Sequence, residues 1–187
     1  MTTRFFLLGL LLAPAVQAQQ PQAPPARWTF GAGIGGVSPT QNFGLGTDWR
    51  AGWSAAANLT YRITNRLGIR GDATMAQNDL NGGSLPGEGR LNKFSYMGNA
   101  VLSGAGMYRD RLTPYVLAGL GAVTVHAIGS DSSFTRFAGD VGLGVGYRLG
   151  RLGLRAEGRD VMYKFDRFGY NKNQNDVVWE GGVTLGL

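Results

Sequence analysis

Phe137-Ala138-Gly139-Asp140-Val141-Gly142-Leu143-Gly144-Val145-Gly146-Tyr147-Arg148 decides the fold. Successive side chains of a strand point to opposite faces. Val141, Leu143, Val145, Tyr147 and Leu149 therefore share one face, and Asp140, Gly142, Gly144, Gly146 and Arg148 share the other. A face built of glycines makes a poor water-exposed surface. It suits the crowded interior of a small closed sheet, where charged side chains from neighbouring strands need room to cross and pair. The greasy face must then point outward, toward lipid.

The same parity runs through the chain. Trp53, Ala55, Ala57, Leu59, Tyr61 and Ile63 oppose Ser54, Asn58, Thr60 and Arg62; Leu67, Ile69, Ala73 and Met75 oppose Arg70, Asp72 and Thr74. Leu152, Leu154 and Ala156 oppose Arg155, Glu157 and Arg159, and Val177, Trp179, Val183 and Leu185 oppose Glu180 and Thr184. The segment 112–126 is apolar on both faces, and 151–164 reads as changing face near Gly158 to Val161, as a bulge would make it do. The inward charges are Arg70, Arg148, Arg155 and Arg159 against Asp72, Asp140, Glu157 and Glu180, four of each sign. An unpaired charge in a narrow, nearly dry lumen costs several kcal/mol. The balance therefore predicts a paired network that plugs the lumen.

Turn-forming residues divide the chain into eight strands, near 28–37, 50–63, 66–77, 92–108, 112–126, 134–148, 151–164 and 176–187. Three connections are tight: Thr64-Asn65, Arg109-Asp110-Arg111 and the surroundings of Gly150. The other four, Ser38 to Trp49, Asn78 to Leu91, Ala127 to Ser133 and Phe165 to Asn175, are longer and more polar. Short turns at one end and long loops at the other are the habit of transmembrane barrels, whose periplasmic turns are short. The even count puts both termini on the periplasmic side. Tyr61, Tyr108, Tyr115 and Tyr147 lie beside the short turns, and Trp53, Phe94, Tyr96, Phe137, Tyr163 and Trp179 toward the long loops. Phe137 to Tyr147 spans about 33 Å along a strand, or about 25 Å once tilted, the height of an apolar band flanked by aromatic girdles. The expectation is an all-β, eight-stranded antiparallel up-and-down transmembrane barrel over residues 28–187.

Ahead of it, Arg4, the apolar run Phe5 to Leu12, Pro14 and Val16-Gln17-Ala18 have the zones of a secretory signal cleaved after Ala18. The apolar run is well short of the ~20 residues of a membrane helix. Gln19 to Arg27 (QQPQAPPAR) is a proline-rich periplasmic tether. The chain has no cysteine, which excludes disulfides and thiolate metal sites. The formal charge of +6 falls to +5 without Arg4 and forms no dense basic block, so nucleic acid is not an expected partner. Glycine, 31 of 187 residues, is far above the usual ~7% and follows no collagen period.

Gly31-Ala32-Gly33-Ile34-Gly35-Gly36 matches a dinucleotide fingerprint in letters, but Pro39 follows where a helix must start, so no nucleotide is expected. The single histidine, His126, makes a zinc site unsupported. Asp131, Asp166 and Asp176 read as solvated loop charges rather than calcium ligands, since they lack a regular ligand spacing. No metal and no cofactor is expected. Phe43, Trp49, Phe168 and Tyr170, on the long loops, are candidate contacts for a saccharide or protein.

Pro114 to Ala122 (PYVLAGLGA), Phe137 to Arg148 and Leu152 to Arg159 (LGLRAEGR) resemble the outer-membrane protein β-barrel domain family, the group of opacity-protein and OmpA-like barrels. The resemblance is clearest over 112–165 and implies an eight-stranded barrel with inward Arg and Glu and surface-exposed loops. It implies no reaction, because the family hosts several roles on one scaffold. Members commonly end in an aromatic residue that helps the barrel assembly machinery recognise the last strand. This chain ends Val183-Thr184-Leu185-Gly186-Leu187. No C-terminal peptidoglycan-binding domain is expected, so wall anchoring is not indicated. Eight-stranded lipid A deacylases use a His-x-Ser arrangement, whereas here His126 is followed by Ala127 and Ile128. Ser130, Ser132 or Ser133 with Asp131 could in principle substitute, which geometry has to test.

The expected protein is an outer-membrane barrel, exported by its signal, that contacts lipid and displays four loops without enzymatic activity. A narrow passive pore is the alternative, followed by a lipid A-modifying hydrolase and a soluble ligand-binding barrel.

Overall fold

A computed structural model describes residues 26–40, 48–81, 90–106, 111–127, 133–165 and 172–187. The expected signal, most of the expected tether, and Phe43, Phe168 and Tyr170 lie outside the described residues. The strands are β1 (Trp28–Pro39), β2 (Asp48–Trp49), β3 (Gly52–Arg62), β4 (Leu67–Asn81), β5 (Arg90–Ser103), β6 (Leu112–Ala127), β7 (Ser133–Leu149), β8 (Leu152–Phe165) and β9 (Lys172–Gly186). All pairings are antiparallel. The order β4-β3-β1-β9-β8-β7-β6-β5 closes through β4–β5 into a barrel of eight staves.

The two-residue β2 lies above β3 on the same neighbour. Trp49 faces Leu80 and Trp53 faces Gln77, so β2 and β3 pair with β4 one residue out of register, as a bulge between them requires. Gly52 sits at that point, where a Cβ would lie 1.7 Å from the Gln77 carbonyl oxygen.

Several strands run further toward the long connections than expected. β4 continues to Asn81, β5 starts at Arg90 and β9 at Lys172, whereas β5 ends at Ser103, short of Tyr108. The tight turns have local causes. Thr64 Oγ1 accepts from the amides of Arg66 (3.2 Å) and Leu67 (2.9 Å). Gly150, between Leu149 and Leu152, has φ 72°, in the left-handed region open to glycine.

The outside is apolar. Ile34, Phe137 and Leu143 are 74%, 72% and 68% exposed, and Trp53, Tyr96, Val116, Leu120, Leu154, Trp179 and Val183 face outward with them. A contiguous girdle of this size has no place in water.

β8 corrects one expectation. Its register with β7 and β9 is unbroken from Leu152 to Tyr163, without a bulge or change of face. Gly153, Arg155, Glu157, Arg159, Val161 and Tyr163 all point inward, and Asp160 and Met162 point out. The ambiguous segment 112–126 resolves in the same way. Tyr115, Leu117, Val123 and Val125 of β6 face inward, and Val116 and Leu120 outward.

Candidate functional site

The lumen is where the charged side chains meet. On the closed ring β4 and β8 stand opposite each other, four staves apart. Arg70 on β4 spans that diameter: its Nη1 and Nη2 donate to the two carboxylate oxygens of Glu157 on β8, at 2.7 and 2.8 Å. This fork-on-fork geometry is the strongest form of charge-assisted hydrogen bond. Arg70 Nε donates to Asp72 (2.8 Å), which also accepts from Asn99 Nδ2 on β5 (2.9 Å). Tyr115 OH donates to Glu157 at 2.6 Å.

Arg155 and Arg159 extend the cluster along β8. Arg155 Nη2 reaches Glu180 on β9 at 3.3 Å, and Arg159 Nη2 donates to Glu180 (3.2 Å) and to Thr74 Oγ1 (3.0 Å). Arg159 Nε lies 3.2 Å from Glu157. Asp140 on β7 is held loosely: its nearest cation atom is Arg159 Nη1 at 3.7 Å, and neither of its oxygens accepts a hydrogen bond. All seven of these charged side chains are buried.

Arg148, expected in the same network, is absent from it. It lies half-buried at the short-turn end, with no described carboxylate within 4 Å. The cluster is therefore three arginines against four acids rather than four against four. Parity alone placed Arg148 on the right face but said nothing of its height along the barrel.

A second tie crosses the lumen nearer the long connections. β5 and β9 are also opposite, and Lys93 Nζ of β5 reaches Asp176 Oδ2 of β9 at 2.6 Å. Tyr163 OH donates to the same oxygen (3.0 Å) and Gln174 Nε2 to Oδ1 (3.3 Å). Asp176 is thus a buried partner of a lysine, correcting its reading as a solvated loop charge. Tyr115 and Tyr163 are interior side chains, correcting their place in the girdles. Parity held the missing signal, since Tyr163 shares its face with Arg155, Glu157 and Arg159.

Around this tie the lumen is an apolar core of Val37, Leu91, Val125, Phe134, Val161 and Val178. Toward the short turns the interior changes: Thr29, Thr60, Thr113, Gly146 and Thr184 point inward but stay half-buried. The lumen is thus lined by buried side chains near the long connections and by half-buried ones near the short turns.

Among the remaining candidates, Trp49 pairs with Leu80 in β2, and its side chain is not among the described ones. His126 faces Ser133 across the β6–β7 register, on the outward side. Among the described residues no hydrogen bond joins them.

The comparisons agree with this architecture. No curated protein sequence matches the chain. Among solved structures, Neisserial surface protein A (NspA) is similar with 21% identity over 88% of this chain and 100% of its own, at a TM-score of 0.69. Ail, the attachment invasion locus protein of Yersinia pestis, shares 12% identity over 87% of this chain and 99% of its own, at 0.55. The outer membrane protein OprG of Pseudomonas aeruginosa shares 15% over 86% and 96%, at 0.53. At these identities the likeness is one of fold. The family model for the outer membrane protein beta-barrel domain matches residues 6–187. With an apolar outside, a closed eight-stave ring and that match together, the chain is placed in the outer membrane as a member of the outer membrane protein beta-barrel domain family.

Proposed function

We propose that the chain is a non-conducting outer-membrane barrel whose role is to present its long connections at the cell surface, without a reaction of its own. The observation that carries this reading is the pair of ties across the lumen, Arg70 to Glu157 and Lys93 to Asp176, with apolar side chains packed around the second. A conducting path needs a continuous column of water, and closed salt bridges on opposite staves interrupt it. The extension of β4, β5 and β9 toward the long connections gives those loops a stiff base.

The ligand class follows from the aromatic residues that the sequence puts there: Phe43, Trp49, Phe168 and Tyr170 suit the apolar face of a saccharide ring or a protein partner. The Ail structure in complex with the heparin analogue sucrose octasulfate gives a case of saccharide binding on a similar fold. Export by the 1–18 signal and handling by the barrel assembly machinery belong to the same proposal.

Two measurements test it. In planar bilayers the folded protein is expected to give no steps above the lipid baseline, and steady ohmic conductance from the unaltered chain overturns the closed-lumen reading. Whole cells producing the protein are expected to bind a glycan array or host-matrix protein more than cells producing a variant with Phe43, Trp49, Phe168 and Tyr170 all changed to Ser. Equal binding by both removes the aromatic loops as the contact surface.

A further inference from the structure

The short-turn end carries a ring of arginines that the lumen network does not use. Arg62 and Arg66 flank the β3–β4 turn, Arg111 opens β6, Arg148 and Arg151 flank the β7–β8 turn, and Arg27 precedes β1. The backbone ties four of them in pairs: the Arg62 amide donates to the Arg27 carbonyl (2.8 Å), and the Arg148 amide to that of Arg111 (2.9 Å). Arg27, Arg66 and Arg151 are exposed, and Arg62, Arg111 and Arg148 half-buried. None of the six has a described carboxylate within ion-pair distance, and the described acids all lie in the lumen cluster or toward the long connections. Among the described residues, of which 15 are basic and 8 acidic, six of the seven excess positive charges therefore sit on this rim.

Most of these cations have an exposed apolar neighbour in sequence. Trp28 follows Arg27, Ile63 follows Arg62, Leu67 follows Arg66, and Leu149 and Leu152 bracket Arg151, all of them between 39% and 58% exposed. Where the outward apolar band stops, the guanidinium groups begin. In a bilayer that height is the boundary between acyl chains and phosphates, which long arginine side chains reach by snorkelling. Short turns face the periplasm, so the leaflet concerned is the periplasmic one. Guanidinium pairs with phosphate through two parallel hydrogen bonds.

We infer that this rim is a binding surface for the phosphates of anionic phospholipids, phosphatidylglycerol or cardiolipin, in the periplasmic leaflet. It holds them as an annulus around the short-turn end and fixes how deep the barrel sits. The half-open lower lumen, lined by Thr29, Thr60, Thr113 and Thr184, lies inside the rim and leaves the headgroups room from below.

The test uses the folded full-length chain in vesicles of neutral phosphatidylcholine doped with spin-labelled phosphatidylglycerol, cardiolipin or phosphatidylcholine. The fraction of motionally restricted label gives the relative association of each lipid. A basic residue near a charged surface changes binding by about five-fold, so the wild type is expected to prefer the anionic labels by at least about that factor. The triple variant Arg27→Gln, Arg66→Gln, Arg151→Gln alters exposed side chains only, and its preference is expected to fall close to one. A control variant at the other end, Arg50→Gln, Arg90→Gln, Lys164→Gln, is expected to keep it. Equal heat-modifiability of the three proteins establishes that all are folded. The assignment is overturned by a wild type that shows no preference, by a triple variant that keeps it, or by a control variant that loses as much. Abolition of the preference by millimolar inorganic phosphate at constant ionic strength also overturns it, because the rim then takes free phosphate rather than lipid.

Discussion

Replacing Glu157 by Gln should cost far more than replacing Asp140 by Asn, although both remove one buried negative charge from the same lumen. The Glu157 carboxylate receives Arg70 at 2.7 and 2.8 Å and Tyr115 at 2.6 Å, with Arg159 at 3.2 Å and Arg155 at 3.4 Å. An amide keeps one acceptor oxygen and turns an NH2 group toward the guanidinium donors, of which Arg155 and Arg159 keep Glu180 while the Arg70 fork loses one of its two acceptor oxygens. At least two charge-assisted hydrogen bonds go, each contributing about 1.5–3 kcal/mol. Breaking a buried ion pair from one side costs about 3–5 kcal/mol, so about 4 kcal/mol is expected.

Asp140 has no hydrogen bond to lose, and its nearest cation atom is 3.7 Å away. Its neutralisation leaves three arginines facing three acids, and the change should stay within about 1 kcal/mol. The assay is reversible urea unfolding from lipid vesicles, followed by tryptophan emission. With a denaturant slope of about 2 kcal/mol per molar, E157Q should lower the midpoint by about 2 M and D140N by less than about 0.5 M. Near-equal midpoints for the two variants would refute the reasoning, because burial alone would then set the cost and the hydrogen-bond geometry would count for nothing.

Two further outcomes follow from the two faces of the wall. Gly35→Ala places a Cβ 1.8 Å from the Trp179 carbonyl oxygen and must part β1 from β9, at a cost of about 3 kcal/mol, whereas Gly181→Ala meets nothing within 4 Å and should gain about 0.5–1 kcal/mol; the same urea midpoints separate the pair. Leu143→Arg, on the exposed apolar face near the middle of β7, should destabilise the barrel by about 2–4 kcal/mol in a bilayer, and an unchanged midpoint there would mean that this face does not meet lipid.

The barrel was legible because its outward face repeats every second residue while glycine and charge fill the other, as in Asp140 to Arg148. The reading weakened where the lumen itself is apolar. Val161 and Tyr163 on β8, and Leu117, Val123 and Val125 on β6, belong to the core near the long connections, so hydrophobicity stops distinguishing inside from outside there. The change of face expected in β8 came from following greasiness when the register never shifts. The Lys93–Asp176 tie was missed for a related reason: it joins the beginning of one strand to the beginning of another 83 residues later, and both positions look like loop edges in a linear reading. Tyr115 and Tyr163 show the opposite case, since a residue type common at membrane interfaces does not by itself fix an interfacial position. Which acid meets which base depends on height within the cylinder, and a one-dimensional alternation carries no such coordinate.

The seam between β1 and β9 has a bearing on how the molecule comes together. Eleven residue pairs, from Thr29 with Gly186 to Pro39 with Asp176, join the first stave to the last. The last stave also delivers Asp176 to Lys93 and Glu180 to Arg155 and Arg159. Until the fifteen residues of β9 arrive, Lys93, Arg155 and Arg159 each lack one of the carboxylates that they meet in the closed barrel, and both flanking staves keep a raw edge. Zipping the cylinder shut and neutralising its contents are thus one event, performed by the carboxy-terminal segment.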